Sequence, residues 1–170
     1  MATYPNVVGG DFIDATLEND QMRAGLNSTV FGNRTSTKAT AGAAVEIGYL
    51  RLDSVPLVAG YLYEVYAFNL RWDSTVATDH CRFNIRYSST GAATTASTVF
   101  ARSEGDPDLQ SMPELKTLYS PSSTESGSFL LSFLRTSGTG TVTIQADDRG
   151  VWLVVKCIGT SGAGDVGVDV

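Results

Sequence analysis

Histidine is almost missing from this chain: His80 is the only one among 170 residues. A zinc centre needs three or four converging nitrogen, sulfur or carboxylate ligands, and a second histidine is not there to supply one. In "TDHC" the neighbours His80 and Cys81 point to opposite faces of any strand, so they form neither a metal pair nor a nucleophile and its base. A serine hydrolase would have to recruit the same histidine, and no Gly-x-Ser-x-Gly turn is present. "GTSGAG" at 159–164 sits beside a glycine-rich end, a poor place to hold a nucleophile. No Walker loop, dinucleotide fingerprint or His-Glu-x-x-His pair occurs. His80 is expected to be a structural or exposed side chain, and the chain is expected to be no enzyme and to carry no cofactor.

Lysine is scarce as well, with Lys38, Lys116 and Lys156 alone, and the net charge is −6 with a pI near 4.6. Nine arginines, spread from Arg23 to Arg149, form no basic block. Nucleic acid recognition depends on clustered cations, so no nucleic-acid partner is expected. No apolar run approaches the ~18 residues that suggest a membrane span. The opening "MATYPNVVGGDFID" has no basic region followed by an apolar one, so no secretory route is expected. Only Cys81 and Cys157 are available for a disulfide. A bridge is conceivable, but both lie in apparent strands, where a free thiol behaves as a small apolar residue, and two buried thiols are expected.

What the chain has in quantity is apolar residue (42%) and glycine (17 residues), with many Ser and Thr. That suits one domain with a sizeable core and many turns. One segment reads as a helix: in "DFIDATLENDQMRAG" Asp14 caps, Glu18 and Asp20 lie early, Arg23 lies late and Gly25 stops. Ile13, Leu17 and Met22 give it only a thin apolar stripe. Strand signals follow. "STVF" and "TSTKAT" read as edge segments. "AVEIGYLRL" shifts phase near Gly48, which marks a bulge, and "SVPLVAG" reads as a turn because Pro56 lacks a donor. "HCRFNIRY" alternates, with Cys81, Phe83, Ile85 and Tyr87 on one face. Residues 104–127 read as a long excursion with a short strand at "LKTLY". "SFLLSFLR", "GTVTIQA" and "GVWLVVKCIG" close the domain.

Roughly eight or nine strands with short turns and no βαβ spacing predict an all-β fold, an antiparallel β-sandwich or jelly roll with a short N-terminal helix or arm. The expected divisions are an arm over 1–26, the sandwich over 27–158 and a loose tail over 159–170.

"YLYEVYAFNLRW", residues 61–72, is apolar in both phases. The even phase, Leu62, Glu64, Tyr66, Phe68, Leu70 and Trp72, is apolar but for Glu64 and is the expected core face. Tyr61, Tyr63 and Val65 make the odd phase the expected subunit contact, since aromatics are enriched at interfaces. Phe12, Ile13, Leu17 and Met22 are the expected shell-docking arm. The acidic groups Glu104, Asp106, Asp108, Asp147 and Asp148 suit turns first, with calcium or a sugar-cleaving carboxylate pair as alternatives. Trp72, Trp152, Tyr61, Tyr63 and Tyr119 are the candidates for glycan contact, though most sit at core phase. "NST" at 27 and "NRT" at 33 match the glycosylation pattern without a secretory signal to give it meaning.

The opening "GGDFIDATLEND", with Gly10, Asp11, Ile13, Asp14, Ala15, Leu17 and Asn19, resembles the start of small virion proteins of tailed bacteriophages, those of actinobacterial hosts in particular. "GNRTSTKAT", "VEIGYLRL", the stretch from Leu57 to Val65 and "VKCIGTSG" continue the resemblance over most of the chain. The ending "GAGDVGVDV" departs from the extended, proline-rich end of many such proteins. The resemblance implies a β-sandwich subunit on the outside of the particle, made in the host cytoplasm. It would be a capsid decoration protein that binds the major capsid protein, commonly as a homotrimer. A tail-associated or receptor-facing subunit is the first alternative and a glycan-binding module the second. No membrane partner is implied.

Overall fold

A computed structural model describes residues 30–42, 45–106, 115–145 and 150–160. Among these residues there is no helix, and eleven strands form three antiparallel sheets. Eight strands are long: β1 (Val30–Thr35), β3 (Ile47–Leu57), β4 (Tyr61–Phe68), β6 (His80–Ser88), β7 (Thr98–Gly105), β8 (Leu115–Tyr119), β9 (Glu125–Ser137) and β11 (Val151–Thr160). Three are short: β2 (Ala39–Ala41), β5 (Trp72–Ser74) and β10 (Val142–Ile144).

The first sheet runs β1-β11-β4-β8 and the second β3-β9-β6-β7. Counted along the long strands alone, those orders are first-eighth-third-sixth and second-seventh-fourth-fifth. This is the double Greek key of a jelly roll. The short strands pair as β2-β10-β5. They lie in the connections between β1 and β3, β4 and β6, and β9 and β11, so they gather into a small third sheet at one end of the sandwich.

The core between the sheets is aromatic and aliphatic. Phe83, Phe129 and Phe133 from the second sheet and Val65, Leu115 and Leu153 from the first are fully buried. Alternation in β6 puts Cys81, Phe83, Ile85 and Tyr87 inward, as the sequence predicts. The doubly apolar strands β4 and β9 are both central in their sheets. The bulge expected near Gly48 is present, as a register shift between Gly48 and Leu50 against β9.

The turn expected over 54–60 is shorter than the sequence suggests. β3 continues through Pro56, which pairs with Ser126, to Leu57. β3 is an edge strand, where a missing donor need not break a ladder. A second register shift between Leu52 and Val55, with Ser54 at φ 58°, lets Val55 and Leu57 both reach the core. The reversal itself is the β-turn closed by Tyr61 N–H donating to Val58 O at 3.3 Å, with Gly60 at φ 81°. At the other end, β11 includes Gly159 and Thr160, paired with Leu62 and Tyr61, so the sandwich extends two residues past the expected boundary. The predicted helix, the shell-docking residues Phe12, Ile13, Leu17 and Met22, the carboxylates Asp108, Asp147 and Asp148, and the rest of the tail lie outside the described residues.

Candidate interaction face

The two sheets differ in how their outer faces are finished. On the second sheet the outer face mixes apolar side chains, Leu130 and Leu134, with a polar set that is mutually hydrogen-bonded. The Glu46 carboxylate accepts from Arg86 Nε at 2.5 Å, from a second Arg86 nitrogen, from Asn84 Nδ2 at 3.1 Å and from the Ser132 hydroxyl. Asn84, itself buried, accepts from Arg102 Nε at 3.1 Å. Burial alone would raise the Glu46 carboxyl, but the hydrogen bonds from Arg86, Ser132 and Asn84 outweigh it and hold the group below its ordinary value. The β6–β7 loop then folds over this face. Ala93 N–H donates to Ser128 Oγ at 2.8 Å, Ser128 donates to Asp53 at 2.5 Å, and Arg86 Nη1 donates to Ser97 O at 2.6 Å. Two clefts of about 290 and 340 Å3 flank the loop, one beside Asp53 and Ser128, the other beside Arg51 and Leu130. Both sit at the lower end of the range for small-molecule sites.

The outer face of the first sheet is built otherwise. Cross-strand register sets its rows: Arg34, Trp152 and Phe68; Gly32, Val154, Tyr66 and Lys116; Val30, Lys156, Glu64 and Leu118. Phe68 and Trp152 lie with parallel rings 6.0 Å apart, Tyr66 stacks on Phe68 at 5.9 Å, and the Arg34 guanidinium sits 5.9 Å over Trp152. Lys116 forms an ion pair with Glu64. Four large apolar side chains are exposed among the described residues, and three of them are on this face: Val30 (52%), Phe68 (44%) and Leu118 (55%). No loop among the described residues covers it as the β6–β7 loop covers the second sheet. The continuous part of this apolar surface is the stacked group Tyr66, Phe68 and Trp152, and exposed patches of that kind mark contact sites.

This arrangement corrects the expected subunit contact. Tyr61, Tyr63 and Val65 are 8%, 2% and 0% exposed and belong to the protein's own core. Side chains already covered within the domain have no area left to bury against a partner. The outward phase of β4 is Leu62, Glu64, Tyr66 and Phe68. The phase reverses after Phe68, where Asn69 takes φ 59° and its Nδ2 donates to Gly150 O at 2.5 Å. Beyond that kink Leu70 and Trp72 do point inward, as expected. One sequence signal could have decided the matter: Glu64 is the only ionisable carboxylate in either phase of β4, and carboxylates are seldom fully buried.

The remaining candidates disperse. His80 is half-exposed and pairs through Nδ1 with Asp106 Oδ1 at 2.6 Å, while Glu104 pairs with Arg82. No group of three or more potential metal ligands occurs among the described residues. Cys81 and Cys157 are both buried free thiols, and burial pushes the Cys81 thiol up to about 12. Of the aromatic residues weighed for glycan contact, Trp72 is buried. Tyr119 lies in a cluster where its hydroxyl donates to Glu125 at 2.5 Å beside Tyr87. Only Trp152 faces outward on the first sheet. Sequence reasoning missed Asp79, which is fully buried and joins two turns. Its carboxylate accepts from the Ser74 hydroxyl and from Thr139 N–H at 2.9 Å and Gly140 N–H at 3.1 Å.

No protein-family model matches the chain, and no curated protein matches it. Solved structures similar in shape include the VP2 subviral particle of infectious bursal disease virus, with a TM-score of 0.41, 12% identity, and coverage of 78% of this chain and 38% of that one. The structure of the Gx strain of that virus gives a TM-score of 0.39 and 12% identity over 79% of this chain and 37% of that one. The xylanase 10B modules of Clostridium thermocellum complexed with xylohexaose give 0.36 and 11% over 75% of this chain and 26% of that one. The chain thus spans well under half the length of each of these structures. The assignment of a jelly roll rests on the strand order.

Proposed function

We propose that this chain is a non-enzymatic virion structural subunit of the tailed-phage type, a capsid decoration protein bound to the outside of the head by multivalent contact. The observation that carries the reading is the contrast between the sheets. The second is sealed by a hydrogen-bonded network and a loop, whereas the first presents Phe68, Tyr66, Trp152, Val30 and Leu118 outward. A subunit that folds alone and then joins a lattice needs such a face, and repeated weak contacts add up across a shell. The arm residues Phe12, Ile13, Leu17 and Met22 are proposed as the second contact segment. A tail-associated position on the particle would use the same surfaces.

The test is co-sedimentation with heads that lack the protein. The parent is expected to pellet with them, and Phe68→Asp, at a position open enough to tolerate a charge, is expected to stay in the supernatant. Equal pelleting of both would remove the face from the contact. The outward stack of Tyr66, Phe68 and Trp152 specifically favours one further reading, a glycan platform, because sugars pack on exposed rings. Retention on an immobilised polysaccharide, lost in Trp152→Ala, together with no binding to heads, would select it.

A further inference from the structure

The outer face of the first sheet also bears on what covers it, and the following deepens the assembly reading and rests on it. We infer that the occupant of this face is the N-terminal segment, residues 10–26, of a neighbouring copy of the same chain.

Charge is the first argument. Among the described residues the face carries Arg34 beside the aromatic row and Lys156 in its middle, while Lys116 is paired with the one carboxylate, Glu64. Residues 10–26 carry Asp11, Asp14, Glu18 and Asp20 against Arg23. An acidic segment on a cationic face is steered and held in register, whereas two such faces brought together would oppose cation to cation. The apolar side chains match in kind as well: Phe12, Ile13, Leu17 and Met22 have Phe68, Val30, Leu118 and the Trp152 ring to meet.

Direction is the second argument, and it selects a neighbour over the same chain. The described chain enters this sheet at Val30, in the row of Lys156, Glu64 and Leu118. From there β1 runs toward the aromatic row, reaching Arg34 beside Trp152 four residues later, about 13 Å along the strand. The strand therefore points its upstream end away from its own aromatic row. To reach its own Phe68, an arm of the same chain would have to turn back upstream of Val30, a reversal that an arm from a neighbouring copy does not need. A contact of arm on one copy and face on the next is heterologous, and it closes into a ring when the rotation between copies allows.

Full-length protein tests this by light scattering over a range of concentrations. The parent is expected to form a closed oligomer, at ~54 kDa if the ring has three copies of the 18.0 kDa chain. The arm variant carrying Phe12→Asp with Leu17→Asp, and the face variant Phe68→Asp, are each expected to run as monomers with the parent's circular dichroism. Mixed together they are expected to pair one to one, since one partner still has an intact face and the other an intact arm. Should Phe68→Asp fail to fold, Lys156→Glu, which alters charge and leaves the apolar area, takes its place. A mixture that stays monomeric, an arm variant that keeps the parent's mass, or a parent that is itself monomeric overturns the inference. A monomeric parent that still binds heads through Phe68 leaves the assembly reading standing, so the two failures are distinguishable.

Discussion

Glu46 shows what one side chain does on the sealed sheet. Its carboxylate gathers Arg86, Asn84 and Ser132 from two strands, and the pair with Arg86 is shielded, with side-chain exposures of 14% and 13%. Removing one partner of such a pair strands the other, so Glu46→Ala is expected to destabilise by about 3 kcal/mol in chemical denaturation. Glu46→Ala combined with Arg86→Met is expected to recover part of that. Glu46 and Asp79 are both held below their ordinary values, Glu46 by hydrogen bonds that outweigh its burial and Asp79 first by the Ser74 hydroxyl. A carboxylate depressed in the folded state stabilises fully above its unfolded pKa of ~4 and ceases to as pH falls through the lower folded value. The melting temperature is therefore expected to stay level from neutrality down to about pH 5 and to fall steeply below ~4, and the fall should be shallower in Glu46→Gln. Thermal melts across pH check this. Cys81, fully buried and pushed up to about 12, offers little thiolate. A thiol reagent is expected to reach it only after denaturant is added.

At the scale of the element, β4 carries the lesson. Its odd phase points inward, and just past its end the left-handed backbone of Asn69 reverses the phase, so that Leu70 and Trp72 point inward as well. A β-branched residue tolerates that conformation poorly. Asn69→Val is expected to cost about 2 kcal/mol from strain and from the lost bond to Gly150 O, read by denaturant midpoint. Gly127 in β9 makes a comparable point by contact: a Cβ there would lie 2.7 Å from both Leu57 Cδ1 and Tyr87 Cε2. Gly127→Ala is expected to destabilise by about 1–3 kcal/mol. Strand positions at 80–88, 115–119 and 151–160 were legible because alternation or an unbroken apolar run marks them. The facing of β4 was not, because both of its phases are apolar and hydrophobic periodicity alone has no preference between them. Pro56 misled for a related reason: its missing donor ends a strand only where a neighbour needs that donor, and edge position is a property of the assembled sheet. Asp79 was illegible because its partners, at Thr139 and Gly140, are some sixty residues away in the chain.

At the scale of the molecule, the sequence supports a two-sheet all-β fold with β4 and β9 in the middle, and the structure supplies the order that makes it a jelly roll. That order could not be read from strand lengths, since pairing partners such as β1 and β11 stand at opposite ends of the described chain. The candidate site changed sides with the phase of β4, from Tyr61, Tyr63 and Val65 to Tyr66 and Phe68 with their neighbours. Among the described residues the outer face of the opposite sheet is partly covered by the β6–β7 loop.

The central claim is that the outer face of the first sheet is covered on assembly. Hydroxyl-radical footprinting of the protein, free at low concentration and bound on particles, tests it most directly. Phe68, Tyr66 and Leu118 are expected to be modified in the free protein and protected in the assembled one, with Tyr63 protected in both. Equal modification of Phe68 and Leu118 in the two states would contradict the account.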